Sequence, residues 1–192
     1  NGGVLVTTLN PLFTILIISL INKKIIIKEV FGIVLGIIGG IIIMDLYVQG
    51  FGSMLDSNNI YFILCAITWG LMTVSVNYAQ KAINPYMFIC LCYLYTTIAS
   101  LPFIDLSELS SAQLDVRFYV NFFFVSIVTM SFGTSVYIYS TPMLGPTKSS
   151  VFIFSVPFVA VTFAYIFLGE PLTINVAVGG LLSILAIYIV NK

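Results

Sequence analysis

The sequence predicts an all-α membrane protein, a polytopic helical bundle with seven transmembrane helices in this chain, and three observations predict it. Charged residues make up 7 % of the chain and hydrophobic ones 60 %, against roughly 25 % and 45–50 % in an average soluble domain; mean hydropathy is +1.13. The charges cluster, leaving uncharged stretches at 1–22, 30–44, 57–80, 82–104, 118–147, 149–169 and 171–191. Most of these reach the roughly 20 residues a helix needs to cross about 30 Å of hydrocarbon. Barrel strands would be about 10 residues long with polar alternation, whereas these runs are apolar on all sides.

Taken in order, the first span, 4–22, carries Pro11 in its interior and closes on Lys23 and Lys24. The second, 29–48, runs past Asp45 to the interface and holds Gly32, Gly36, Gly39 and Gly40. Their small-xxx-small spacing lets helices approach closely. Packing within the chain is one reading and a homodimer through the glycine-rich helices the other. On the third span, 59–80, Trp69, Thr73, Asn77 and Gln80 fall within about 80° of arc at 100° per residue. The fourth is 84–104, and the fifth, 118–141, bears a similar stripe of Ser126, Thr129, Gly133, Tyr137 and Ser140. Each stripe reads either as the lining of a path or as hydrogen-bonding glue between helices. The sixth, 147–168, contains Pro157, and the seventh spans 172–191.

Inside a span, Pro removes a backbone hydrogen bond and kinks the helix, and paired breaks in two halves of a chain point to a transport site. Pro11 and Pro157 are therefore candidate kink or gating residues, with a simple packing kink as the alternative. Glu170 stands between the last two spans. Gly169 can supply the left-handed residue that ends the sixth helix, Pro171 suits the first turn of the next, and the carboxylate lies near that helix's positive end. A capped elbow at headgroup depth is one reading of Glu170, and a part in gating is the other.

The basic residues predict sidedness. Lys23, Lys24, Lys28, Lys81, Lys148 and Lys192 fall on one side, and Arg117 falls on the other with Asp56, Asp105, Glu108, Asp115 and Glu170. The positive-inside tendency makes the first side cytoplasmic and places the C-terminus inside and residue 1 outside. The chain opens on Asn-Gly-Gly without an initiator Met or a signal peptide and enters a span at once. That start predicts a missing N-terminal part.

Several function classes lose support on composition. The formal net charge is zero and no basic patch of nucleic-acid type is present. There is no histidine, and Cys65, Cys90 and Cys92 lie inside spans without C-x-x-C spacing, so they read as packing residues and no metal or cofactor is expected. No span has Asp, Glu, Lys or Arg near its centre, which leaves no proton relay, buried catalytic dyad or Schiff-base Lys in view. An enzyme or a seven-helix receptor is not expected.

Residues 10–40 and 156–186 share one layout, with Pro early in a span, a short polar turn, then a Gly-bearing span. The first and sixth spans are an odd number of crossings apart, so the copies run in opposite directions. Inverted repeats are a hallmark of transporters.

These residues resemble the drug/metabolite transporter superfamily, in its EamA-like exporters. The resemblance rests on Trp69-Gly70, Pro85-Tyr86, "SFGTSVYIYSTPMLGPTKSS" at 131–150, Pro157, "LGEPL" at 168–172, and Gly179. It implies that 59–192 is a complete five-helix repeat, that 1–48 holds the last two helices of a first repeat, with 49–58 connecting them, and that three helices of a ten-helix inverted-repeat fold are absent. One departure is Lys24, which stands where the second copy has Glu170, with no Gly before it.

The resemblance implies alternating-access export or exchange of a small polar metabolite such as an amino acid, in the cell inner membrane. The alternative is a truncated, non-transporting membrane remnant or interaction subunit. Trp69 offers a stacking face and an N–H, Thr73 a hydroxyl, and Asn77 donors and an acceptor, which together suit a neutral or zwitterionic solute. Tyr137 and Pro157 are the expected opposing wall, because the resemblance implies that their helices surround the cavity.

Overall fold

Long apolar runs in lipid must satisfy their backbone polar groups internally, and the chain does so with helices. The computed structural model describes residues 2–43, 60–104, 115–169, 171 and 173–192. Among them the chain forms seven helices and no strand: α1 (Gly2–Asn22), α2 (Ile27–Ile43), α3 (Ile60–Ala79), α4 (Pro85–Phe103), α5 (Val116–Leu144), α6 (Pro146–Leu168) and α7 (Ile174–Asn191). The last five are long and apolar enough to cross a membrane. The part of α1 from Val6 to Asn22 is apolar but shorter, and α2 is described for 17 residues.

Helix starts follow their capping chemistry. Asn84 caps α4, its Oδ1 accepting from Tyr86 N at 2.9 Å ahead of Pro85 at the first position. Asp115 caps α5 by accepting from Phe118 N at 2.8 Å. At the end of α6, Gly169 takes the expected left-handed conformation, φ 69°. Pro171 departs from expectation: α7 begins at Ile174, with Thr173 as its N-cap, so the proline lies in the turn rather than in the helix. Glu170 lies outside the described residues.

Prolines shape two helices in different ways. In α6, the turn Phe152–Phe154 tightens to 3₁₀ just before the α-helix that contains Pro157, where the ring crowds the carbonyl four residues back. α1 remains α-helical through Pro11. In α5, the stretch Phe124–Thr134 is π-helical. Its wider turn breaks the 100° spacing on which the expected fifth-span stripe depended, so Ser126 and Thr129 are out of helical register with Tyr137 and Ser140.

The chain divides into two compact units, residues 1–75 with 144–192, and residues 76–143. In the first unit, α2 and α7 form the most extensive helix pair. A methyl group built on Gly39 would meet Gly179 O at 2.7 Å, and one on Gly179 would meet Gly39 O at 2.5 Å. Gly36 faces the Phe154 ring and Gly40 faces Thr8. The small-residue face of α2 is thus filled within the chain. Of the two readings of these glycines, packing within the chain is the one this face serves, against α7, α6 and α1.

The pair is also antiparallel and reciprocal. Gly32 abuts Val190 and the Ala186 carbonyl; Gly179 abuts Ile43 and the Gly39 carbonyl. The sequence step that carries Gly32 to Gly179 also carries Gly39 to Ala186 and Ile43 to Val190. Each of these contacts is therefore matched by its exchanged partner, as a local two-fold relation between α2 and α7 requires. Beside this seam, Ile15, Ile33, Val151, Phe154, Ala186 and Val190 form the apolar core.

In the second unit, the Gln80 Nε2 donates to the Ile138 carbonyl at 3.0 Å. Four residues on is Pro142, within the same helix, which has no N–H to offer that carbonyl. The Gln80 amide fills the gap. The Tyr93 hydroxyl donates to the Met130 carbonyl at the exit of the π segment, where Ser135 N bonds to Phe132 O instead.

Candidate functional site

The α3 stripe is built by four-residue spacing on one helix. Trp69 is half-buried, and Thr73 is fully buried with its hydroxyl donating to Trp69 O at 3.0 Å. Asn77, two turns beyond Trp69, is half-buried. Gln80, at the end of the stripe, serves the Ile138 carbonyl and is helix glue. A Thr hydroxyl bonded back to its own helix satisfies its donor there.

Within the first unit, the stripe meets α1 at Gly70. A methyl group there would lie 3.2 Å from Thr14 N and 3.1 Å from Phe13 Cβ. The missing side chain allows this close approach at Gly70, which follows Trp69 and precedes Thr73 by three residues on the same helix. Pro11 is fully buried on α1 and Pro157 is buried on α6; Phe158, next to Pro157, packs on Gly180 of α7. Trp69, Thr73, Pro11 and Pro157 thus belong to the first unit and Asn77 and Tyr137 to the second. Tyr137 is half-buried on α5, and its carbonyl accepts from the hydroxyls of Ser140 and Thr141.

Sequence reasoning passed over Asn10. It is fully buried, and neither its Oδ1 nor its Nδ2 has a hydrogen-bond partner among the described residues. The signal that marks it is an amide side chain next to a proline in the middle of an apolar run.

A concavity of about 210 Å³ lies at one end of the first unit, lined by Ser19, Asn22, Lys24, Glu29, Thr147 and Lys148 along with apolar residues such as Ile18 and Leu144. The Glu29 carboxylate takes a hydrogen bond from the Thr147 side chain, and Lys148 Nζ reaches Asn191 O at 3.5 Å. These contacts tie the starts of α2 and α6 to the end of α7. Among the described residues, no cluster of three or more His, Cys, Asp or Glu is placed to hold a metal ion.

A comparison with family profiles matches residues 57–192 to the EamA-like transporter family. No curated protein matches the chain.

Proposed function

The chain belongs to the EamA-like transporter family, and from that premise, an integral membrane transporter of small molecules, we propose that it exports or exchanges a small polar metabolite, an amino acid fitting best, by alternating access. The observation that carries the substrate class is the α3 face. Trp69 and Thr73 are polar or aromatic groups on a helix with no charged residue, and Asn77 continues the face two turns on. Such a face binds a neutral or zwitterionic solute through stacking and hydrogen bonds without a formal counter-charge. The proposed contacts are Trp69, Thr73, Asn77, Tyr137 and Pro157, with Pro11 and Glu170 as kink or gating positions.

The reciprocal α2–α7 packing supports the mechanism. Two inverted copies with equivalent contacts have two arrangements of similar energy, and exchanging the conformations of the copies exchanges the open side. The lysine distribution supports a cytoplasmic C-terminus in the inner membrane.

The test is transport of radiolabelled amino acids by the chain in liposomes. Trp69→Ala and Asn77→Ala are expected to abolish transport at near wild-type membrane abundance. Loss of the Asn77 hydrogen bonds should weaken binding by roughly 1–3 kcal/mol, or about 5- to 150-fold. If Asn77→Ala lowers abundance and thermal stability but leaves transport per molecule unchanged, the stripe is a packing seam and the assignment fails.

A further inference from the structure

A fully buried carboxamide with both polar ends unpaired is costly, because water has been stripped from a donor and an acceptor with nothing in return. Among the described residues, Asn10 is in that state. Its place on α1 says what it faces. Thr8, Leu12 and Ile15 lie roughly 140–200° around the helix from Asn10. Ile15 and Leu12 pack in the apolar core, and Thr8 lies against Gly40 of α2. Asn10 therefore points away from the core. Thr14 lies about 40° from it, one turn on, and Thr14 is the residue whose backbone meets Gly70 of α3. Asn10 thus stands one turn from the point where α1 meets α3 at Gly70, the residue after Trp69. Neither α1 nor α3 contains a charged residue to compete for the amide, and Pro11 interrupts the α1 hydrogen-bond ladder at the same level.

We propose that Asn10 is a substrate-binding residue, its Oδ1 accepting from an ammonium or amide N–H and its Nδ2 donating to a carboxylate or carbonyl of a neutral or zwitterionic solute held against Trp69 and Thr73. The inference rests on the reading of the α3 face given above. The close approach at Gly70 brings α1 to α3 one turn from the amide. Parting of these helices admits the solute, whose two complementary groups satisfy the side chain that the closed arrangement leaves unpaired. The ligand class follows from the amide itself, which offers one donor group and one acceptor and no charge.

Trp69 is the single tryptophan of the chain, so its emission reports on this site directly. The purified full chain is titrated with each of the twenty common amino acids in turn, and Trp69 fluorescence and thermal unfolding are followed for wild type, Asn10→Leu and Asn10→Asp. At least one amino acid is expected to shift wild-type emission. Its dissociation constant should rise about 5- to 150-fold in Asn10→Leu, while the melting temperature stays level or rises, since an apolar side chain of similar size relieves the unpaired amide. Asn10→Asp, which keeps the shape and removes the donors, should also weaken binding. Wild-type affinity in both variants overturns the role of Asn10 and leaves the Trp69 site standing, as does wild-type affinity in Asn10→Asp if the leucine variant fails to fold. No response of wild-type Trp69 to any amino acid overturns the reading of the α3 face and the inference with it.

Discussion

Gly169 and Gln80 show how single residues carry structure in a chain with so few polar groups. Gly169 sits at φ 69°, and among the described residues no atom beyond its chain neighbours lies within 4 Å of where a Cβ would stand. Gly169→Ala therefore costs only the left-handed conformation, about 1 kcal/mol, and Gly169→Asn should cost less; denaturation of the two variants checks the order. This glycine was legible in the sequence, because a Gly between an apolar run and a Pro is a helix stop whatever surrounds it. The role of Gln80 was not. Its helical spacing placed it with Trp69, Thr73 and Asn77, yet its partner, Ile138 O, lies 58 residues away. Gln80→Leu is expected to destabilise the protein by about 1–3 kcal/mol by leaving that carbonyl unsatisfied. Adding Pro142→Ala should recover much of the loss, since an alanine at that position supplies the N–H that proline lacks. Additive losses in the double-mutant cycle would disprove the compensation.

At the scale of elements, the seven spans follow from hydropathy, and the helix ends depart from expectation by a few residues. Apolar runs in lipid have few alternatives, so length and charge placement decide most of the outcome. The π-helical turn of α5 escaped because it depends on which hydrogen bonds the helix makes, and composition does not record that. The α2 glycines were legible as a packing face, but their partner was not, since a small-residue face fits a neighbouring helix and a second copy equally well. Gly179→Ala would drive a methyl group to 2.5 Å from Gly39 O and Ile43 Cγ1, and a backbone carbonyl in a close pair cannot move aside cheaply. The expected loss is about 1–3 kcal/mol, read as a lower melting temperature. Gly133→Ala, whose methyl would meet Val128 O at 3.5 Å and nothing else among the described residues, should leave stability near wild type or raise it. Equal losses at the two positions would argue against a tight α2–α7 seam.

For the whole molecule, the lysine distribution predicts sidedness. In a background without Cys65, Cys90 and Cys92, a cysteine at Lys81 should be labelled from the cytoplasmic side and one at Ser107 from the outside by a membrane-impermeant maleimide. The reverse pattern would invert the topology and the proposed direction of transport. By itself the sequence determined that the chain is helical, that it lives in the membrane, and that two of its parts run in opposite directions. These properties follow from hydropathy, charge placement and the parity of crossings, which are local or countable along the chain. Only the tertiary structure decided that the α2 glycines are spent on α7, that Gln80 serves a carbonyl freed by Pro142, and that Asn10 is buried with its amide unpaired. Those depend on which helix faces which, and inside a bilayer every apolar face is chemically alike, so close approach and the pairing of a few polar atoms make the choice.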